Sequence, residues 1–187
     1  MEMLLIPALA LVALPLLFVV AQYNQLVGLR QYIRNAWSNI DTELKRRYDL
    51  IPNLVATVQG YARHERETLA QVTELRNRCA ANHGSPEHQA SDERQLVGSL
   101  QRLLAVAEAY PDLKANQHFL QLQEELTNTE DRIQAARRFY NGNVRDYRVK
   151  RESFPSNLIA RLFAFPPEEY FQVEPSVRSV PNIQFPT

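Results

Sequence analysis

The chain has 187 residues, 45% of them hydrophobic, 22% charged and only 5 glycine, enough for one domain plus a short extra segment and too apolar for a disordered chain. Its 21 Lys and Arg balance 21 Asp and Glu, which removes the basic footprint of a nucleic-acid binder and argues against a polybasic stretch as the main membrane device. Cys79 is the lone cysteine, so no internal disulfide can form; a reducing compartment is the simplest setting, and a disulfide-free periplasmic protein is also compatible.

The first element is an uncharged run from Met3 to Ala21. At ~1.5 Å per residue it reaches about 28 Å, close to a hydrocarbon core of about 30 Å. Pro7 and Pro15 interrupt it, which membrane helices tolerate, and Tyr23 stands where an aromatic ring suits the headgroup layer. A cleaved signal peptide needs a basic start and small residues at the cleavage site. Here Glu2 is the one charged side chain before the run, and Val19-Val20-Ala21 is bulky. The run is therefore expected to anchor the chain in a bilayer through residues 3–21. No Lys or Arg precedes it, whereas Arg30, Arg34 and Lys45-Arg46-Arg47 follow. That asymmetry predicts a single-pass protein of the cell (inner) membrane with a short N-terminus outside and the bulk in the cytoplasm.

Beyond the run, apolar residues recur at steps of three and four: Leu26, Leu29, Ile33, Ala36, Ile40, Leu44, Ile51, Leu54, Val58 and Ala62, then Leu69 and Val72. This spacing predicts a helix packed along one seam, with Arg47 or Tyr48 filling the seam near 47 and Glu65 near 65. Pro52 should kink or break a helix, yet the phase is unchanged across it. One long helix to about Ala80 is expected, the alternative being a new start with Asp49 as N-cap and Pro52 in the first turn.

Asn82 to Ser91 reads as a turn, with Ser85 as N-cap and Pro86 at the first position of a second helix that carries Leu96, Leu100, Leu103 and Ala107. Tyr110-Pro111-Asp112 marks the next boundary. A third long helix follows, with Phe119, Leu122, Leu126, Ile133, Ala136, Tyr140, Val144 and Tyr147 on its seam and Thr129 as the polar step. Glu124, Glu125, Asp131, Arg137, Arg138 and Arg145 form its solvated face. The helix should end at Phe154-Pro155, and Ser156 should cap a short amphipathic helix over Asn157–Phe163. From Phe165-Pro166-Pro167 onward the chain lacks a period and reads as loop or weakly ordered tail. Short loops between long helices predict antiparallel neighbours. The fold class is all-α, an elongated up-and-down bundle of three long helices plus a short fourth on an N-terminal transmembrane helix. The expected division is an anchor over 1–22, a helical bundle over 23–171 and a Pro-rich tail over 172–187.

Several stretches carry a resemblance. Tyr23-Asn24-x-Leu26-Val27 leads into Ala36-Trp37-Ser38-x-Ile40-Asp41, then Leu44-Lys45-Arg46-Arg47-Tyr48-Asp49-Leu50-Ile51-Pro52-Asn53-Leu54-Val55 and Gly60-Tyr61-Ala62-x-His64-Glu65. Later come Ala105 to Asn116, Glu125-Leu126-x-x-Thr129-Glu130, Ala135-Ala136-Arg137-Arg138-Phe139-Tyr140-Asn141 and Phe154 to Ala160. Together they resemble the LemA family of bacterial and archaeal membrane proteins, over roughly Tyr23 to Phe171. Departures are small: Thr42 where the family often has Val, and Arg148 after Tyr147 where Asn is common. The resemblance implies a four-helix bundle on a membrane anchor with its N-terminus outside, and no settled biochemical activity. It also implies kinship with proteins tied to membrane-organelle formation and with others encoded beside a membrane zinc metalloprotease.

The search for chemistry turns up little. His64, His83, His88 and His118 have no Glu three positions before them, as a di-metal bundle would require, and His64-Glu65 is not followed by His at 68. Cys79 lies in a polar stretch without a partner motif, and no Gly-rich loop opens a helix after a strand. No catalysis, cofactor, metal or small-molecule substrate is expected. Two surfaces are candidates for interaction. One is Trp37, Asp41, Lys45, Arg46, Asp49 and Asn53, whose plainer reading is a core anchor at Trp37 and helix-stabilising pairs Asp41–Lys45 and Lys45–Asp49, worth about 0.2–0.5 kcal/mol each. The other is Phe154, Leu158, Leu162 and Phe163, within a segment running to Phe171 that either caps the bundle's open end or touches a membrane or partner. The leading expectation is a scaffold or adaptor that self-associates or recruits a membrane-protein partner at the cytoplasmic face. The alternative is an accessory or regulatory subunit of a membrane enzyme such as a metalloprotease, and an enzyme with an unrecognised site is the third.

Overall fold

The computed structural model describes the backbone of residues 2–172 and the side chains of residue 11 and residues 13–172. Six helical segments occur among them: α1 Glu2–Tyr61, α2 Arg66–Ala81, α3 Pro86–Ala107, α4 Pro111–Lys114, α5 Gln117–Glu152 and α6 Ser156–Leu162. Among the described residues no helix is long and apolar enough to cross a membrane. The span expected over 3–21 lies in part, at residues 3–10 and 12, on side chains outside that set, as does nearly all of the 172–187 tail.

The seam read from the apolar spacing is the buried face. Leu26, Ile33, Ala36, Ile40, Leu44, Ile51, Leu54, Val58, Ala62, Leu69 and Val72 are all buried, and Leu29 is half-buried. The expected single helix to Ala80 is nevertheless two helices. The chain leaves α1 after Tyr61, turns through residues 62–65, and α2 folds back so that Arg76 reaches the Tyr48 carbonyl. Four linker residues approximate one helical turn of 3.6, so the apolar phase survives the reversal and hides it.

Pro52, by contrast, does not end α1, and the alternative start at Asp49 is not taken. A proline inside a helix leaves the carbonyl four residues earlier without its amide donor. That carbonyl belongs to Tyr48, and Arg76 Nε of α2 donates to it at 2.9 Å. The orphaned acceptor is thus satisfied from a neighbouring helix, as a half-buried carbonyl requires.

Ser85 caps α3 as expected, its side chain accepting from the His88 amide at 3.4 Å with Pro86 in the first turn. Asn116 caps α5, accepting from the Phe119 amide at 3.1 Å, and its Nδ2 donates to the Tyr61 hydroxyl at 2.9 Å. α5 then runs antiparallel to α1. Asn116 meets Tyr61, Glu130 meets Arg47 and Tyr140 meets Trp37, so each step up α5 is matched by an equal step down α1. Thr129, the polar step of its seam, is buried and donates to the Glu125 carbonyl at 2.8 Å.

Ser156 is not a cap. It is the first residue of α6, and its hydroxyl donates to the carbonyls of Lys150 at 2.6 Å and Ser153 at 3.0 Å, closing the corner between α5 and α6. α6 ends at Leu162; two residues on, Ala164 has a left-handed φ of 53°, and the Phe165 amide donates to the Ala160 carbonyl at 2.9 Å. This turns the chain inward. Residues 165–171 are loop, as the lack of period indicates, yet Phe165 and Phe171 are buried.

Two cores result. The distal one gathers the second half of α1, α2, α3, α4 and the start of α5 around Ile51, Leu54, Val58, Leu69, Val72, Leu96, Leu103, Leu113 and Phe119. The proximal one, nearer the apolar run, joins the first half of α1 to the rest of α5, α6 and the strap 165–171 around Leu26, Ile33, Ile40, Tyr140, Tyr147 and Phe171. Tyr48 packs against both.

Candidate functional site

Between the two cores lies a buried polar junction. Arg47 occupies a seam position on α1 and is 2% exposed. Its Nη1 donates to Glu130 of α5 at 2.7 Å, and its Nη2 donates to Glu93 of α3, itself 2% exposed. The Tyr48 hydroxyl donates to the other Glu93 oxygen. Burial, foremost, holds the Tyr48 phenol above its ordinary pKa, so it stays a donor. Three helices therefore converge on one guanidinium, a fork that suits two carboxylates at once. A cleft of about 200 Å³ opens beside it, lined by Arg47, Leu100, Leu104, Leu126 and Glu130.

The second cluster holds the strap. Trp37 stacks edge-on against Tyr140 and Phe171, with centroids 5.3 and 5.4 Å apart. The Asn141 amide pairs with the Phe171 backbone, donating to its carbonyl at 3.0 Å and accepting from its N–H at 2.9 Å. Tyr140 and Tyr147 hydroxyls donate to the carbonyls of Glu169 at 2.9 Å and Pro166 at 2.6 Å, and Arg151 Nε donates to that of Phe165 at 3.0 Å. Arg30 pairs with Glu168 at 3.0 Å, and the Arg148 guanidinium lies over the Tyr170 ring at 5.2 Å. Burial, with Glu168 next in each case, raises the pKa of both Tyr140 and Tyr147.

The candidate residues read from sequence divide accordingly. Trp37 is turned inward as a core anchor. Asp41, Lys45, Arg46, Asp49 and Asn53 are exposed along α1. Neither Asp41–Lys45 nor Lys45–Asp49 closes to ion-pair distance; Asp49 lies instead 4.0 Å from Arg76, and Arg46 lies 3.9 Å from Glu43. Phe154, Leu158, Leu162 and Phe163 are exposed at the other end, where Phe163 packs edge-on against Tyr23 at 4.9 Å. From Tyr23 to Asp41 is about 27 Å of helix, so the two surfaces are separate. The four histidines are exposed, and no group of three or more His, Cys, Asp or Glu is gathered for a metal among the described residues. Cys79 is buried, and burial followed by Asp92 pushes its thiol up to about 11, away from nucleophilic use.

Arg47, Glu93 and the strap residues Asn141 and Phe171 were not among the candidates. Their signal was available for Arg47 and Glu93: opposite charges standing at seam positions of two helices.

The model of the LemA family matches residues 36–185. The chain is 31% identical over 145 residues to "Protein LemA" of Metamycoplasma hominis, covering 76% of this chain and 65% of that protein, so it spans just under two thirds of that relative's length. It is 26% identical over 202 residues to "Magnetosome protein MamQ 2" of Paramagnetospirillum magneticum, covering 91% of this chain and 74% of the relative. "Magnetosome protein MamQ" of Magnetospirillum gryphiswaldense is 25% identical over 199 residues, with 93% and 73% covered.

Proposed function

The chain belongs to the LemA family, and from that premise we propose that it is a membrane-anchored scaffold, without catalysis of its own, that self-associates or recruits partners at the cytoplasmic face. The observation that carries the reading is the continuity of α1. One helix joins the apolar run to the distal bundle and leaves Asp41, Lys45, Arg46, Asp49 and Asn53 facing solvent on the way. Such a helix holds a bundle and a charged stripe at a fixed stand-off from the bilayer.

Anchoring is supported by the uncharged run 3–21 and by Leu11, Leu14, Leu16, Leu17 and Val20, which are exposed around α1. An isolated helix that is apolar all round is at home in hydrocarbon rather than water. The likeness to magnetosome proteins supports a membrane setting. The N-outside orientation is supported by Arg30, Arg34 and Lys45-Arg46-Arg47 following a run that no Lys or Arg precedes.

The test is the mass and composition of the assembly released from native membranes by a mild detergent. One homogeneous species with several copies of the chain is expected. A second protein at fixed stoichiometry would favour the accessory-subunit reading, and a lone monomer would sink both.

A further inference from the structure

We propose that the α6 corner is a second, peripheral membrane contact: Phe154, Leu158, Leu162 and Phe163 seat in the headgroup–acyl boundary of the bilayer that holds α1. This rests on the anchored reading above. The four side chains are 78%, 54%, 73% and 48% exposed, a concentration of large apolar groups facing solvent, with Phe163 also resting edge-on against Tyr23. The same short helix buries Ile159 and places Ala160 in the proximal core, so its outward face is not simply a loosely packed cap.

Depth identifies the occupant. Phe163 stacks on Tyr23, two residues beyond the end of the apolar run, and Phe165 stacks on the same ring at 5.5 Å. α6 is therefore held beside the level at which α1 leaves the hydrocarbon. Charge agrees: Lys150 and Arg161 flank the patch, and Arg151 is paired with the one carboxylate there, Glu152, at 3.8 Å, a net positive surround that suits anionic headgroups. Aromatic and leucine side chains ringed by basic residues are the composition of an interfacial element. Two points of attachment, the anchor and the corner, fix the tilt of α1, where a single helix alone would leave it free.

The full chain, with Cys79→Ala, is reconstituted in vesicles of phosphatidylethanolamine and phosphatidylglycerol. Leu162→Cys, at an exposed position that folding does not need, and Arg102→Cys on distal α3 each carry a nitroxide. Collisions with oxygen, which concentrates in lipid, and with a water-soluble nickel chelate are compared, and alkaline carbonate extraction is run in parallel. The expected result is a carbonate-resistant chain whose oxygen-to-nickel collision ratio at 162 is severalfold higher than at 102. A resistant chain with 162 as open to nickel as 102 overturns the corner contact and leaves the anchor standing. A label shielded from both reagents, with spin–spin broadening that grows with protein density, assigns the patch to a second copy and likewise overturns it. A chain stripped by carbonate overturns the anchored reading, and the contact with it.

Discussion

The distal and proximal halves of the molecule reach the same end, a closed core, with different material. Distally, α2 and α3 join α1 and α5, and four helices can enclose aliphatic residues such as Leu54, Val58, Val72 and Leu103. Proximally two long helices remain, and a pair of helices leaves its contact line open on both sides. The gap is closed by large rings, Trp37, Tyr140, Tyr147, Phe165 and Phe171, and by a strap with no regular structure. Aromatic side chains bury more area per residue than aliphatic ones. The strap's backbone groups, lacking a ladder, are met one by one by Tyr140, Asn141, Tyr147 and Arg151. Helix number and ring size thus trade against each other along one continuous α1.

The comparison breaks most severely at the junction. Arg47→Ala leaves Glu93 buried without its partner and should cost about 3–5 kcal/mol, read as a lower urea midpoint for both halves together. Separate transitions for the two halves in the unmutated protein would show that the junction does not couple them.

Next in size is the strap. Phe171→Ala should cost about 3 kcal/mol, at the low end for a buried ring because the loop can yield. Hydrogen exchange should rise over residues 165–171 and around Trp37 while protection at Leu54 and Leu103 is kept. Loss of distal protection as well would mean that the strap supports more than the proximal half.

Arg76→Ala should cost about 1 kcal/mol by freeing the Tyr48 carbonyl. In a Pro52→Ala background, where the amide restored at position 52 can itself donate to the Tyr48 carbonyl, the cost should fall by half or more, a coupling that a double-mutant cycle measures. Equal costs in both backgrounds would sink the account of how α1 passes Pro52.

Alkali should act on both halves. Cys79, Tyr48, Tyr140 and Tyr147 all hold their protons more tightly when folded. Their contribution is full below the ordinary thiol and phenol values and is lost as pH rises toward and beyond about 11, because the unfolded chain ionises first. Melting temperature should be flat near neutrality and fall above the thiol range. The smallest effect is expected at the charged stripe, where Lys45→Ala should shift stability by less than about 0.5 kcal/mol, since its pairs are not formed.

Much of the architecture was legible because burial and apolar spacing coincide on α1, α3 and α5. Three features were not. The reversal at 62–65 carries no proline and preserves the phase, so nothing in the period marks it. Arg47 and Glu93 each look like a charged helix residue until both are seen to stand on seams, and only the fold brings residues 46 apart in sequence together. The strap has no period because its partners are side chains on α5 rather than backbone, and Asn141 acts as a substitute strand edge for Phe171. At the candidate surfaces the residue types were readable, but the inward turn of Trp37 was decided by Phe171, 134 residues away by number.

The passage of α1 through Pro52 turns the helix into a ruler. Each residue of α1 sets height by about 1.5 Å and compass bearing by about 100°. One alanine inserted after Asn24 would leave the contacts among the residues beyond it intact, yet break the stacking of Phe163 and Phe165 on Tyr23, lift the distal bundle slightly and swing it more than a quarter turn about the axis of α1. Whatever meets the charged stripe would then have to be found in a different direction.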